Sequence, residues 1–301
     1  MMIYLTGADT SLTKSAEAPQ RDTAKSLGGY ISSTLVPNAE VNALFDLISS
    51  YTLEKRMKET IALGLINEFD QAVTNVNLKI VVGKENIASF KVAAVRPNDV
   101  LAMEHISNRY SEPLAADFYS ADFQRASVDI KIKNPAVSGE EIALYPFNVI
   151  VEVEEGGIEG TWDAFEEAFS NDENYEAVRL SENTFRVIRR DENVLSEPLT
   201  CSYVTTEGFS AEFLGEMKNG AVGEVTLVDE GEELKPGESI GLWIQRGLKK
   251  YKYPSNEKLI EEYKNKILKD NLETAEIVIS YNLVDKKDNY NNKDYRNEDY
   301  S

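Results

Sequence analysis

The chain has 301 residues, with 52 acids against 32 bases, a formal charge of −20 and a single cysteine, Cys201. That length and a 42% hydrophobic content allow an ample core, and one cysteine excludes an internal disulfide and any zinc site built from several thiolates. A chain this acidic is repelled by phosphate backbones, so direct or sequence-specific nucleic-acid binding is not expected; its plain reading is solubility, and its sharper reading is an acidic face beside a path taken by DNA or another polyanion. No apolar run approaches the ~18 residues of a membrane-spanning helix, and Met1-Met2-Ile3-Tyr4-Leu5 lacks the layout of a signal peptide, so folding in a cytoplasm without export is expected.

Residues 1–37 lack periodicity and read as an extended N-terminal arm. Within it Leu27-Gly28-Gly29-Tyr30-Ile31 predicts a segment docked on another surface. Asn38 is placed to cap a helix whose Val41, Leu44, Phe45 and Ile48 form one apolar face. Short strands follow at Thr60–Ile66, Val73–Ile80 and Ser89–Val95, separated by the turns Gly83-Lys84-Glu85-Asn86 and Arg96-Pro97-Asn98-Asp99. This spacing predicts a sandwich. Ser-Glu-Pro-Leu occurs twice, at 111–114 and 196–199, each copy ahead of an aromatic-containing strand candidate.

Between the two copies the pattern changes. Val128, Ile130 and Ile132 alternate, a longer β stretch over Ile142–Val153 breaks at Pro146, and Thr161 is placed to cap a helix with Trp162, Phe165 and Phe169 on one face. Ala177–Arg190 reads as a hairpin around Ser181-Glu182-Asn183. This order describes a small α+β unit, and residues 126–208 carry 18 acids against 6 bases, a net of −12. The expected organisation is therefore a β-sandwich over 38–125 and 209–284, interrupted by an acidic α+β insertion over 126–208. The fold class is mainly β with some α.

Strand patterns resume at Phe209–Phe213 and Gly223–Val228. The clearest of all is Pro236-Gly237-Glu238-Ser239-Ile240-Gly241-Leu242-Trp243-Ile244-Gln245, in which Ile240, Leu242 and Ile244 share one face and Trp243 the other. Glycines on that second face predict that a backbone or a large ring lies close to it. A helix from Ser255, with Leu259, Tyr263 and Ile267, and a strand over Glu276–Tyr281 follow. Residues 285–301 hold no aliphatic side chain and cannot fold alone, and Tyr290, Tyr295 and Tyr300 read as docking points on a neighbour.

No catalytic constellation stands out. The single histidine, His105, has apolar neighbours and no nucleophile with a base beside it, and no phosphate-cradling glycine motif occurs. Glu152, Glu154, Glu155 and Asp163, or Asp229, Glu230, Glu232 and Glu233, could offer oxygens to calcium, but neither set has the spacing of a calcium loop. The reading is no enzyme, no cofactor and no metal.

Two stretches carry a family resemblance. Leu27-Gly28-Gly29-Tyr30-Ile31-Ser32-Ser33-Thr34 with Val36-Pro37-Asn38 resembles the N-terminal region of neck- or tail-type structural proteins of tailed bacteriophages, of the gut podovirus-like or crAss-like kind. Pro236–Ile244 is similar to a segment that closes the β-sandwich of such proteins. The resemblance covers roughly residues 3–120 and 209–250. It implies a ring-forming virion component, made in the host cytoplasm, whose partners are copies of itself and other virion proteins. Leu27, Gly28, Gly29, Tyr30, Trp243, Tyr290, Tyr295 and Tyr300 are the expected assembly contacts. The alternative is a carbohydrate- or receptor-binding module of a virion that uses exposed aromatic rings, Trp243 first among them; a hydrolase is a third possibility.

Overall fold

The computed structural model describes residues 1–7, 26–36, 44–45, 57–82, 88–95, 102–114, 116–248 and 275–284. The described chain is mostly strand. In order it forms β1 (Met2–Gly7), β2 (Gly28–Leu35), β3 (Lys58–Ile66), β4 (Val73–Val81), β5 (Ala88–Val95), β6 (Ala102–His105), β7 (Tyr119–Ser120) and β8 (Asp122–Phe123). Next come β9 (Ser127–Asn134), β10 (Glu140–Tyr145), β11 (Val149–Val153), the helix α1 (Ile158–Ser170), β12 (Tyr175–Ser181) and β13 (Thr184–Arg189). The last are β14 (Ser202–Thr205), β15 (Ser210–Phe213), β16 (Val225–Val228), β17 (Ser239–Leu248) and β18 (Glu276–Leu283).

Period-2 alternation decides which face each strand buries. A seven-stranded sheet, in the order β6-β2-β1-β3-β17-β5-β7, faces a smaller sheet in which β4 is flanked by β16 and β18 and touched by β8. Ile61, Leu63, Leu65, Phe90, Val92, Ile240, Leu242 and Ile244 from the large sheet meet Val76, Leu78, Ile80, Val225 and Val228 from the small one in a single apolar cluster. Each fully buried aliphatic side chain there contributes roughly 1.5–3 kcal/mol. This is the antiparallel β-sandwich that the strand spacing predicts.

A second cluster lies entirely within residues 126–217. β11-β10-β14 form one sheet and β12-β13-β9-β15 another. Ile142, Leu144, Val149, Val151 and Val153 of the first and Val128, Ile130, Ile132, Phe185 and Val187 of the second enclose Trp162, Phe165 and Phe169 of α1. The helical face expected for those three aromatics is the buried one.

Three expectations are corrected. The stretch read as an arm supplies β1 and β2, and β1 lies between β2 and β3 inside the large sheet. Strand β15 does not rejoin the sandwich: it pairs with β9, and Phe209 and Met217 lie in the second core, so that core continues beyond residue 208. Thr161 is not a cap, because α1 begins a turn earlier at Ile158; its hydroxyl donates to the Gly157 carbonyl at 2.6 Å and accepts from Ala136 N–H at 2.9 Å. The helices expected after Asn38 and Ser255 fall largely outside the described residues, although Leu44 and Phe45 pack on the sandwich core.

Candidate functional site

Both stretches that carry the resemblance meet on the outer face of the large sheet. β17 enters from a turn at Gly237, whose φ is +79°. Asn67 pins that turn: its N–H donates to the Glu238 carbonyl at 3.0 Å, and its carbonyl accepts from Gly237 N–H at 2.7 Å. The Asn67 side chain is fully buried and satisfied, donating to the Gln71 and Leu234 carbonyls and accepting from Phe69 N–H. A buried amide of this kind is costly unless every group is paired, and here both ends are.

Along β17 the side chains then alternate. Ile240, Leu242 and Ile244 enter the sandwich core, and Trp243 points the other way, 1% exposed. Its neighbours across the sheet are Ala62 on β3 and Ala93 on β5, whose small side chains leave room for the indole. Leu27, Met103 and Ile106 close over the ring, with Val95, Ala116 and Phe118 at the margin. Close packing around so large a ring leaves no open aromatic face.

Close approach explains the glycines. A Cβ on Gly28 would lie 1.9 Å from the Glu104 carbonyl oxygen and 2.9 Å from Trp243 Cη2, and φ there is +94°. On Gly241 a Cβ would stand 2.8 Å from Met103 Sδ, and on Gly64, its partner across β3, 2.5 Å from Ile31. The body against the thin face of β17 at Gly241 is therefore the Met103 thioether with Val95 beside it, in place of the backbone or large ring expected there; Ile31 lies against Gly64 of β3 and the Glu104 backbone against Gly28 of β2.

Polar atoms beneath the seam are tied in. Thr6 is fully buried; its N–H donates to Ser26 Oγ at 2.9 Å, and its hydroxyl donates to the Ala62 carbonyl at 3.2 Å while accepting from Gly28 N–H at 3.0 Å. Ser26 Oγ donates to the same carbonyl, and Ala62 N–H donates to the Ser26 carbonyl. Ile106 N–H donates to the Leu27 carbonyl at 3.0 Å. These bonds tie Ser26, Leu27 and Ile106, which lie just outside β2 and β6, to the sheet as a ladder ties strands.

Towards the end of β17, Gln245 donates to Glu112 at 2.9 Å, and Lys58 reaches the same carboxylate at 3.2 Å. The Lys58 hydrogen bond first, and then that from Gln245, hold the Glu112 carboxyl below its usual range. Arg246 forms an ion pair with the buried Glu59, and its guanidinium lies 4.8 Å from the Phe45 ring centroid.

The chain matches no family model, no curated protein and no solved structure with which it was compared.

Of the expected contact residues, Leu27, Gly28, Gly29 and Trp243 are buried within the chain and Tyr30 is half-buried. The four buried residues hold the fold together and do not form an outward surface. Tyr290, Tyr295 and Tyr300 lie outside the described residues. His105 pairs with Gly28 across β6 and β2, and the Cys201 thiol is pushed up by burial, which leaves it poorly nucleophilic. Among the described residues no group of three His, Cys, Asp or Glu is placed to hold a metal ion. Sequence reasoning missed Thr6, Ser26 and Asn67. Beside the short-range bonds of Asn67 to Phe69 and Gln71, their partners lie 20 to 167 residues away, and no local pattern signals such a partner.

Proposed function

We propose that the protein is a non-enzymatic structural subunit of a tailed-bacteriophage virion, a ring-building component of the neck or tail region that assembles with copies of itself and neighbouring virion proteins. The observation that supports this reading is the meeting of Gly28 with Trp243. The two stretches that resemble phage neck and tail proteins are 215 positions apart in sequence and form one interlocked seam in space. Local motifs that fit each other in three dimensions carry more weight than either alone, because each constrains the backbone of the other. A rigid sandwich with a separate acidic layer also suits a subunit that is a building part more than a reaction vessel.

The ligand-binding alternative relied first on an exposed Trp243. With that ring 1% exposed and Trp162 8% exposed, neither tryptophan offers an open platform for a sugar.

Mass spectrometry of purified phage particles produced from a genome encoding this chain tests the proposal, together with negative-stain imaging of the isolated full-length protein. The expected result is a fixed, low copy number in the particle and closed rings or ring fragments. Absence of the chain from purified particles overturns it.

A further inference from the structure

Among the described residues the outer face of the β11-β10-β14 sheet is open. Ile150, Ala143 and Val204 are direct cross-strand partners and form a single apolar row; Ile150 is 61% exposed and Val204 62%. One step along the strands, Glu141 and Glu152 stand directly opposite each other, both exposed, and Thr206 is bonded beside Glu141. Like charges paired across a ladder are destabilising, and an exposed Ile–Val row gains nothing from water. Residues 134–178 and 191–217, which supply all three strands, contain 18 acids and no Lys, Arg or His, so these segments offer no base of their own to relieve the pair.

Of the two margins of this sheet, β11 lies against α1, and β14 has no strand beside it but β10 among the described residues. A strand added along β14 would place every second side chain on the open face. One position would continue the row Ile150–Ala143–Val204, and the position two residues away, just past the end of β14 beside Thr206, would lie in line with Glu141 and Glu152. The chemistry of the two rows differs: the first calls for an aliphatic side chain and the second for a cation.

We propose that this face is the docking site for an extended segment of a partner protein carrying Lys or Arg at one position and an aliphatic residue two positions away, added as a fourth strand along β14. Backbone hydrogen bonds provide attachment, and the two side-chain rows provide selection. The surface is separate from the Trp243 seam, and its test reads peptide binding and not ring assembly, so either proposal can fail while the other stands.

The test uses the full-length protein and a fluorescein-labelled peptide that repeats Lys-Thr-Val-Thr, with a control peptide carrying Glu in place of Lys, read by fluorescence anisotropy. Binding of the Lys peptide and not of the Glu peptide is expected. Ile150→Ser/Val204→Ser and Glu141→Gln/Glu152→Gln should each weaken it by about three- to tenfold. All four side chains are exposed, so both variants retain the core. Glu230→Gln/Glu233→Gln, which removes the same charge elsewhere, should leave binding unchanged. Failure of the Lys peptide to bind overturns the proposal. So does an equal loss in the Glu230/Glu233 variant, which would mark diffuse attraction to an acidic protein. Self-association abolished by Ile150→Ser/Val204→Ser would assign the face to a second copy of the chain and likewise overturn a basic partner.

Discussion

Trp243 Cη2 lies so near Gly28 that a single added methyl would stand 2.9 Å from it. The same methyl would stand 1.9 Å from the carbonyl oxygen of Glu104, which belongs to the backbone and cannot swing aside. The segment at 26–28 and the strand β17 therefore fit only while residue 28 has no side chain.

Gly28→Ala is expected to destabilise the protein by about 2–4 kcal/mol, combining a left-handed backbone angle with overpacking. Gly231 is the control, since it has a similar φ of +96° but nothing within 4 Å of an added Cβ. Gly231→Ala should cost only the backbone part, about 1–2 kcal/mol. Urea unfolding of both variants separates the two contributions, and equal losses would show that close packing at the seam adds nothing to the cost.

Trp243→Ala empties the space between Ala62, Ala93, Leu27 and Met103, and should cost about 3–5 kcal/mol. The ring's burial also predicts that acrylamide quenches Trp243 weakly; Trp162→Phe leaves Trp243 as the only tryptophan and isolates its emission. Strong quenching in that variant would contradict a closed seam.

Glu140 is fully buried and accepts from Val137 N–H at 3.0 Å, Phe209 N–H at 2.7 Å and the Thr205 hydroxyl. Burial alone pushes its carboxyl up, but the hydrogen bonds from Thr205, Phe209, Val137 and Glu207 together outweigh it and hold the carboxyl below its ordinary value of 4.5. A group whose folded value is depressed contributes stability that is fully present above its unfolded value and is lost as pH falls through the folded one. The 126–217 core should therefore loosen in acid, below the ordinary glutamate range. Glu140→Gln should be less stable at neutral pH and show a flatter acid limb. Denaturation midpoints measured from neutral pH into acid check this, and parallel curves for the two proteins would refute it.

Glu59 and Arg246 form an ion pair in the large sheet, with only 5% and 12% of their side chains exposed. Removing one partner leaves a buried charge, so Glu59→Ala should cost about 3–5 kcal/mol. Glu59→Leu/Arg246→Met, which removes both charges and keeps the volume, should cost much less. A double-mutant cycle read by chemical denaturation gives the coupling, and additive losses would show that the pair is not coupled.

Much of the architecture is determined by the sequence alone, through the two-residue period of its strands and the apolar stripe of α1. That period places Ile240 and Trp243 on opposite faces, and large-small alternation in Ile61-Ala62-Leu63-Gly64-Leu65 marks a strand with one thick and one thin side. Charge counting shows an acidic central portion before any pairing is known. Only the tertiary structure decides what lies against each strand, because a ladder joins residues far apart and backbone hydrogen bonds carry no residue code. That is why residues 1–37, which lack periodicity, supply strands inside the large sheet, and why Ser210–Phe213 joins β9 and not the sandwich. It is also why Trp243, with a face that sequence leaves uncovered, is sealed by Leu27, Met103 and Ile106: the short strand β6 and the residues flanking it and β2 close over it because burying an indole outweighs ordering a few residues of chain.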